Sequence, residues 1–132
     1  MGYYKPCKEF DQCNRLIEKY FKTGQYEKCF QGYLVLAEGG YPLAECQVGY
    51  FYHEGLGVEK DLSQAFAWTK RAAEHGDWDA QYNLAEFYEE GIGTAADLAQ
   101  AKYWYQQAAG QNHAFALKKC QELGIILDEQ KG

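Results

Sequence analysis

The chain has 132 residues, with 13 Lys and Arg against 19 Asp and Glu, a net charge of −6, 47% hydrophobic residues and 17% aromatics. This length predicts a single domain over residues 1–132, and the apolar content argues against a disordered chain. An acidic chain with only two arginines, Arg15 and Arg71, lacks the basic footprint needed to grip nucleic acid or an anionic membrane surface, and no apolar run approaches the ~20 residues of a membrane span.

In chain order, the N-terminal stretch Met1–Lys8 has no apolar segment of signal-peptide type, and Pro6 breaks the myristoylation pattern. The five cysteines, Cys7, Cys13, Cys29, Cys46 and Cys120, are odd in number and irregular in spacing. Reduced thiols and a cytoplasmic location are therefore expected, unless a signal peptide has been removed. Residues 8–43 read as a first, degenerate helical hairpin. Phe10, Cys13, Leu16, Ile17, Tyr20 and Phe21 have helical spacing, Thr23-Gly24-Gln25 makes a tight turn, and Tyr26, Cys29, Phe30, Tyr33, Leu36 and Ala37 mark a second helix ended by Gly39-Gly40.

Residues 44–79 and 80–115 then repeat at an offset of 36, with 13 of 36 positions identical and no gap. The shared residues include Ala44/Ala80, Phe51/Phe87, Tyr52/Tyr88, Gly55/Gly91, Gly57/Gly93, Asp61/Asp97, Trp68/Trp104 and Ala72-Ala73/Ala108-Ala109. In each copy a first helix (43–54 or 79–90) stops at a glycine able to adopt positive φ, and a Gly-x-Gly turn follows. An Asp then caps a second helix that carries one Trp among alanines. Alanines let helix axes approach, and the Trp fills the space between neighbours. Residues 116–127, with Ala116, Leu117, Cys120 and Leu123, read as a capping helix closed by Gly124.

Ala44, Val48-Gly49, Tyr52, Gly55-Leu56-Gly57-Val58, Asp61, Ala65, Trp68 and Ala72-Ala73 resemble the Sel-one-like repeat family, as does the second copy from Ala80 to Ala109. The second copy departs at Ala85 and Thr94, where the family prefers Gly and Val. The resemblance implies an all-α, right-handed α-solenoid of about three helix-turn-helix repeats plus the C-terminal cap. It also implies a non-enzymatic scaffold or adaptor with a concave surface that binds a partner protein or peptide. Some small bacterial members are immunity proteins that neutralise a toxic effector, and this is the alternative within that class.

The remaining motifs carry little chemistry. The Gly-x-Gly pairs lack the third glycine and preceding strand of a dinucleotide loop, so no cofactor is expected. The single serine, Ser63, has no Ser-x-x-Lys context. His53, His75 and His113 form no His-x-x-x-His pair, and no metal site is expected. An enzyme would need a cysteine, Cys46 before the others, aligned with a histidine.

The first helices are expected to line the concave face. Opposite the core they carry Cys46, Tyr50 and His53 in one copy and Tyr82, Glu86 and Glu89 in the other. Tyr50 and Tyr82 are the expected anchors of a partner segment, because Tyr is enriched at interface hot spots. Gln47 and Asn83 stand ready to bond its backbone. Glu54, Glu86, Glu89 and Glu90 make this end acidic, which favours a basic partner.

Overall fold

The computed structural model describes residues 7–125, and all regular structure among them is helical. Helix α1 (Lys8–Leu16) runs on through one π-helical turn (Ile17–Phe21). Helices α2 (Tyr26–Glu38), α3 (Pro42–Glu54), α4 (Leu62–Glu74), α5 (Trp78–Glu90), α6 (Leu98–Gly110) and α7 (Ala114–Glu122) follow. Each helix packs on the next in sequence, most extensively within the pairs α3–α4 and α5–α6. This is the nearest-neighbour stacking of an α-solenoid. The helices of the repeats begin at residues 42, 78 and 114, two residues ahead of the boundaries at 44, 80 and 116 read from sequence. Residues 126 and 127 of the expected cap lie outside the described residues.

The helix ends follow from local chemistry. Pro42 occupies the first turn of α3, where its missing N–H costs no bond. The carboxylates of Asp61 and Asp97 each accept a hydrogen bond from a backbone N–H three residues on, at 3.1 and 3.2 Å. Gly55 and Gly91 end α3 and α5 in the left-handed region, at φ +71° and +75°.

The second glycine of each Gly-x-Gly turn has a different duty. A side chain on Gly57 would run into the Tyr26 carbonyl and lie 2.7 Å from the Glu27 nitrogen. One on Gly93 would run into the Leu62 carbonyl and lie 2.8 Å from Phe66 Cβ. Tyr26 and Leu62 are 36 residues apart and both open the second helix of the preceding unit. Each turn is thus seated on the first turn of the preceding unit's second helix, and the repeat offset is a backbone joint.

The core divides along the stack. Cys13, Cys29, Phe30, Tyr33, Ala37, Ala44, Val48 and Phe51 are buried together at the N-terminal end, joined by half-buried Tyr52 and Trp68. Ala85, Ala101, Tyr105, Ala108, Ala109, Ala116 and Cys120 close the C-terminal end against Tyr88 and Trp104. Between them Cys46 packs with Ala72, Ala73, Ala80 and Leu84. The repeated tyrosines and tryptophans thus edge the core, and the alanines fill its centre.

A candidate partner-binding groove

Helices α3 and α5 lie side by side and leave two adjoining concavities. One, of about 380 Å³, is lined by Gly49, Tyr50, His53 and Glu54 from α3, Thr69 from α4, and Asn83, Glu86, Phe87, Glu90 and Ile92 from α5 and its turn. The other, of about 470 Å³, is lined by Leu43, Cys46, Gln47 and Tyr50, by Asp79, Tyr82 and Asn83, and by Phe21, His113 and Phe115. Tyr50 and Asn83 belong to both. The two therefore form one groove, acidic at the C-terminal ends of α3 and α5 and aromatic nearer their starts. Of the expected residues, Cys46, Gln47, Tyr50, His53, Glu54, Tyr82, Asn83, Glu86 and Glu90 all line it. Among the described residues, no Lys or Arg does.

The acidic end is partly desolvated. Burial raises the Glu86 carboxyl above its ordinary value, and the adjacent Glu90 and Glu89 add to the rise. A hydrogen bond to Tyr82 and the charge of Lys119 pull in the other direction. His53 Nδ1 lies 2.8 Å from Glu54, and its ring stacks on Phe87 at 5.5 Å between centroids. Thr69 is only 3% exposed, and its hydroxyl has no hydrogen-bond partner among the described residues. It sits over Gly49, where a Cβ would fall 2.5 Å from the Thr69 oxygen.

At the aromatic end, Tyr50 is 43% exposed and Phe115 67%. Tyr82 is half-buried and stacks on the His113 ring at 4.9 Å. Burial and the Glu86 carboxylate push its phenol up to about 12. Tyr82 therefore forms a fixed wall of the groove, and Tyr50 is its freer aromatic.

Two of the expectations need correction. Cys46, expected to face outward opposite the core, is 6% exposed. Burial raises its thiol well above the ordinary value, with neighbouring Asp77 and Asp79 contributing. The reason is that α3 is covered on two sides, by α4 and by α5 of the next repeat, whereas the helical-wheel argument assumed one buried face. Glu89 does not line the groove. It accepts a 2.7 Å hydrogen bond from the Tyr105 hydroxyl and pairs with Lys119 at 3.4 Å, because a buried phenol needs an acceptor.

Nor is a Cys–His pair assembled at Cys46. His113 is the histidine that shares its concavity, and both ring nitrogens are engaged. Nδ1 accepts from the Ala116 N–H at 3.3 Å, capping α7, and Nε2 donates to Asp79 at 2.9 Å. This assignment follows from the donor N–H, which leaves Nδ1 as the acceptor nitrogen. Among the described residues no cluster of His, Cys, Asp and Glu is suited to a metal, and no helix is long and apolar enough to cross a membrane.

Sequence reading also missed Glu45, which is fully buried. His75 Nδ1 lies 2.7 Å from its Oε1, and Arg71 lies 3.4 Å from Oε2 while covering the Trp68 ring. The counterpart Gln81 is also buried and donates to the Ala73 carbonyl at 3.2 Å. Recurrence of a buried polar residue at offset 36 was the available signal, but Glu45 and Gln81 look like ordinary surface residues.

Comparison with known proteins agrees with this architecture. The model of the Sel1 repeat matches residues 42–77 and 78–113, 72 of the 132 residues. A solved Sel1 repeat protein from Oxalobacter formigenes is 38% identical, with a TM-score of 0.78 over 86% of this chain and 45% of that one. A protective antigen of uropathogenic Escherichia coli with an SLR fold is 31% identical, with a TM-score of 0.74 over 88% of this chain and 24% of that one. A chitin synthase regulator from Malassezia restricta is 50% identical over 41 residues, 31% of this chain and 3% of that protein. The chain thus spans less than half the length of each of these relatives.

Proposed function

Because the chain belongs to the Sel1 repeat family, whose repeats are generally protein-interaction modules, we propose that it is a non-enzymatic binding module whose α3–α5 groove holds a segment of a partner protein. The observation that carries this reading is the groove itself. Residues separated by one repeat in sequence converge on two concavities that share Tyr50 and Asn83. Tyr50 offers a large aromatic surface at low entropic cost, and the Asn83 and Gln47 amides supply both donors and acceptors for a peptide backbone. The absence of Lys and Arg from the lining among the described residues and the presence of Glu54, Glu86, Glu90 and Asp79 favour a basic segment.

The test is site-specific photo-crosslinking. A benzophenone residue replaces Tyr50 in the groove or Val35 on α2, which is 70% exposed, and each variant is irradiated in a lysate of the native host. A discrete adduct from position 50 and none from position 35 is expected. An adduct from position 35 alone, or none from either, would overturn the groove assignment.

A further inference from the structure

We infer that the acidic end of the groove is a receptor for one arginine side chain of the partner segment, seated between the rings of Tyr50 and His53 and the carboxylates of Glu86 and Glu90. This rests on the groove reading above and specifies what its acidic concavity accepts.

Three observations converge on it. The concavity is lined by Glu54, Glu86 and Glu90 with no Lys or Arg among the described lining residues, and His53 engages Glu54, which leaves Glu86 and Glu90 without a basic partner in the lining. Lys119, the nearby cation that acts on Glu86, is paired with Glu89 instead. Second, Thr69 is nine-tenths buried, lines the cavity and holds an unpartnered hydroxyl above the bare backbone of Gly49. That hydroxyl oxygen can accept from a donor outside, and a guanidinium has five N–H donors to share between Thr69 and a carboxylate. Third, the twin position lacks this arrangement. Ala85 replaces Gly49, and Tyr105, which replaces Thr69, bonds Glu89. The opening is therefore particular to the α3–α5 junction.

Arginine suits the site better than lysine. Its planar fork can take two carboxylate oxygens at once, and its face stacks on aromatic rings, whereas an ammonium does neither. Glu86 and Glu90 are one helical turn apart on α5, so they present their carboxylates on the same side. The raised Glu86 carboxyl fits the same picture, since a bound cation would restore the ionised form that burial disfavours.

The experiment selects dodecapeptides from a phage-displayed random library on the full chain. Synthetic copies of the winners are then mapped by amide chemical-shift perturbation. Enrichment of arginine is expected, with shifts at Gly49, Asn83 and Glu86. Affinity should fall about tenfold in Glu86→Gln/Glu90→Gln, the size of one lost charge-assisted bond. It should fall less when the peptide's arginine becomes lysine than when it becomes norleucine. Thr69→Val tests the hydroxyl separately and is expected to weaken arginine peptides while leaving norleucine peptides unchanged. Peptides that shift Tyr50 and Gln47 but show no arginine preference would overturn the arginine receptor and leave the groove reading standing. Peptides that perturb only α2 or α6, or a library that yields no binder, would overturn both.

Discussion

Replacing Gly57 by Ala tests the joint between repeats most directly. Gly57 has φ +65°, where an alanine costs about 1–2 kcal/mol through its Cβ. The added methyl must also displace the Tyr26 carbonyl and the Glu27 nitrogen. These are backbone atoms in the first turn of α2 and cannot rotate away, and overpacking of that kind costs roughly 1–3 kcal/mol. Alanine returns about 0.4–1 kcal/mol by restricting the unfolded chain. The net expectation is a loss of about 2–4 kcal/mol, a large share of the ~5–15 kcal/mol by which small domains are stable. Gly24→Ala is the matched control, because Gly24 has φ +76° with nothing near its Cβ position. It should cost only about 1 kcal/mol, the conformational part alone. Urea unfolding followed by circular dichroism reads both, and with a slope of ~1–3 kcal/mol/M the Gly57 variant should lose roughly 1–3 M in midpoint. Equal losses in the two variants would refute the joint, because only backbone conformation would then matter at Gly57.

Three further outcomes follow from the groove and its supports. Glu86→Gln should leave the protein as stable as the parent at pH 4 and more stable at pH 7. A carboxyl raised by burial contributes stability below its unfolded value and loses it as pH rises through the folded value. Thermal melts at the two pH values check this, and a destabilised variant at pH 7 would contradict it. His75→Ala and Arg71→Ala each uncover the buried Glu45 carboxylate and should cost about 1.5–3 kcal/mol, while Glu45→Gln, which removes the buried charge, should cost less than either; chemical denaturation of the three variants decides the order. Titration of the native protein with a thiol reagent should modify exposed Cys7 rapidly and leave buried Cys13, Cys29, Cys46 and Cys120 until unfolding. Fast loss of a second thiol that maps to Cys46 would place it at the surface after all.

What could be read from the amino acids was whatever repeats or acts locally. Gly55 and Gly91 end helices through their own φ, Asp61 and Asp97 cap through a bond to a residue three places on, and the alanines recur with the stack. Tyr50, Tyr82 and Glu86 were placed on an outward face, and Asn83 at its edge, by helical geometry alone, and the groove contains all four. The failures share one cause. Cys46, Glu45 and Glu89 are each decided by the following repeat or by the helix after it, and a wheel drawn on one helix does not see that neighbour. His113 was assigned no role because its two bonds, to the α7 backbone and to Asp79, join different units. The π-helical turn at Ile17–Phe21 also left no recognisable mark in the apolar spacing of the first unit.

The 36-residue translation that builds the scaffold does not carry over to the groove wall. Moved by one repeat, Tyr50 becomes Glu86, Cys46 becomes Tyr82 and His53 becomes Glu89, whereas Gln47 and Glu54 keep their kind in Asn83 and Glu90. A ligand displaced by one repeat along the helices would therefore exchange a ring for a carboxylate and a thiol for a phenol. The framework is periodic and its inscription is not, so the groove has a single frame in which a segment can be read, and slippage between equivalent positions is penalised at Cys46, Tyr50 and His53.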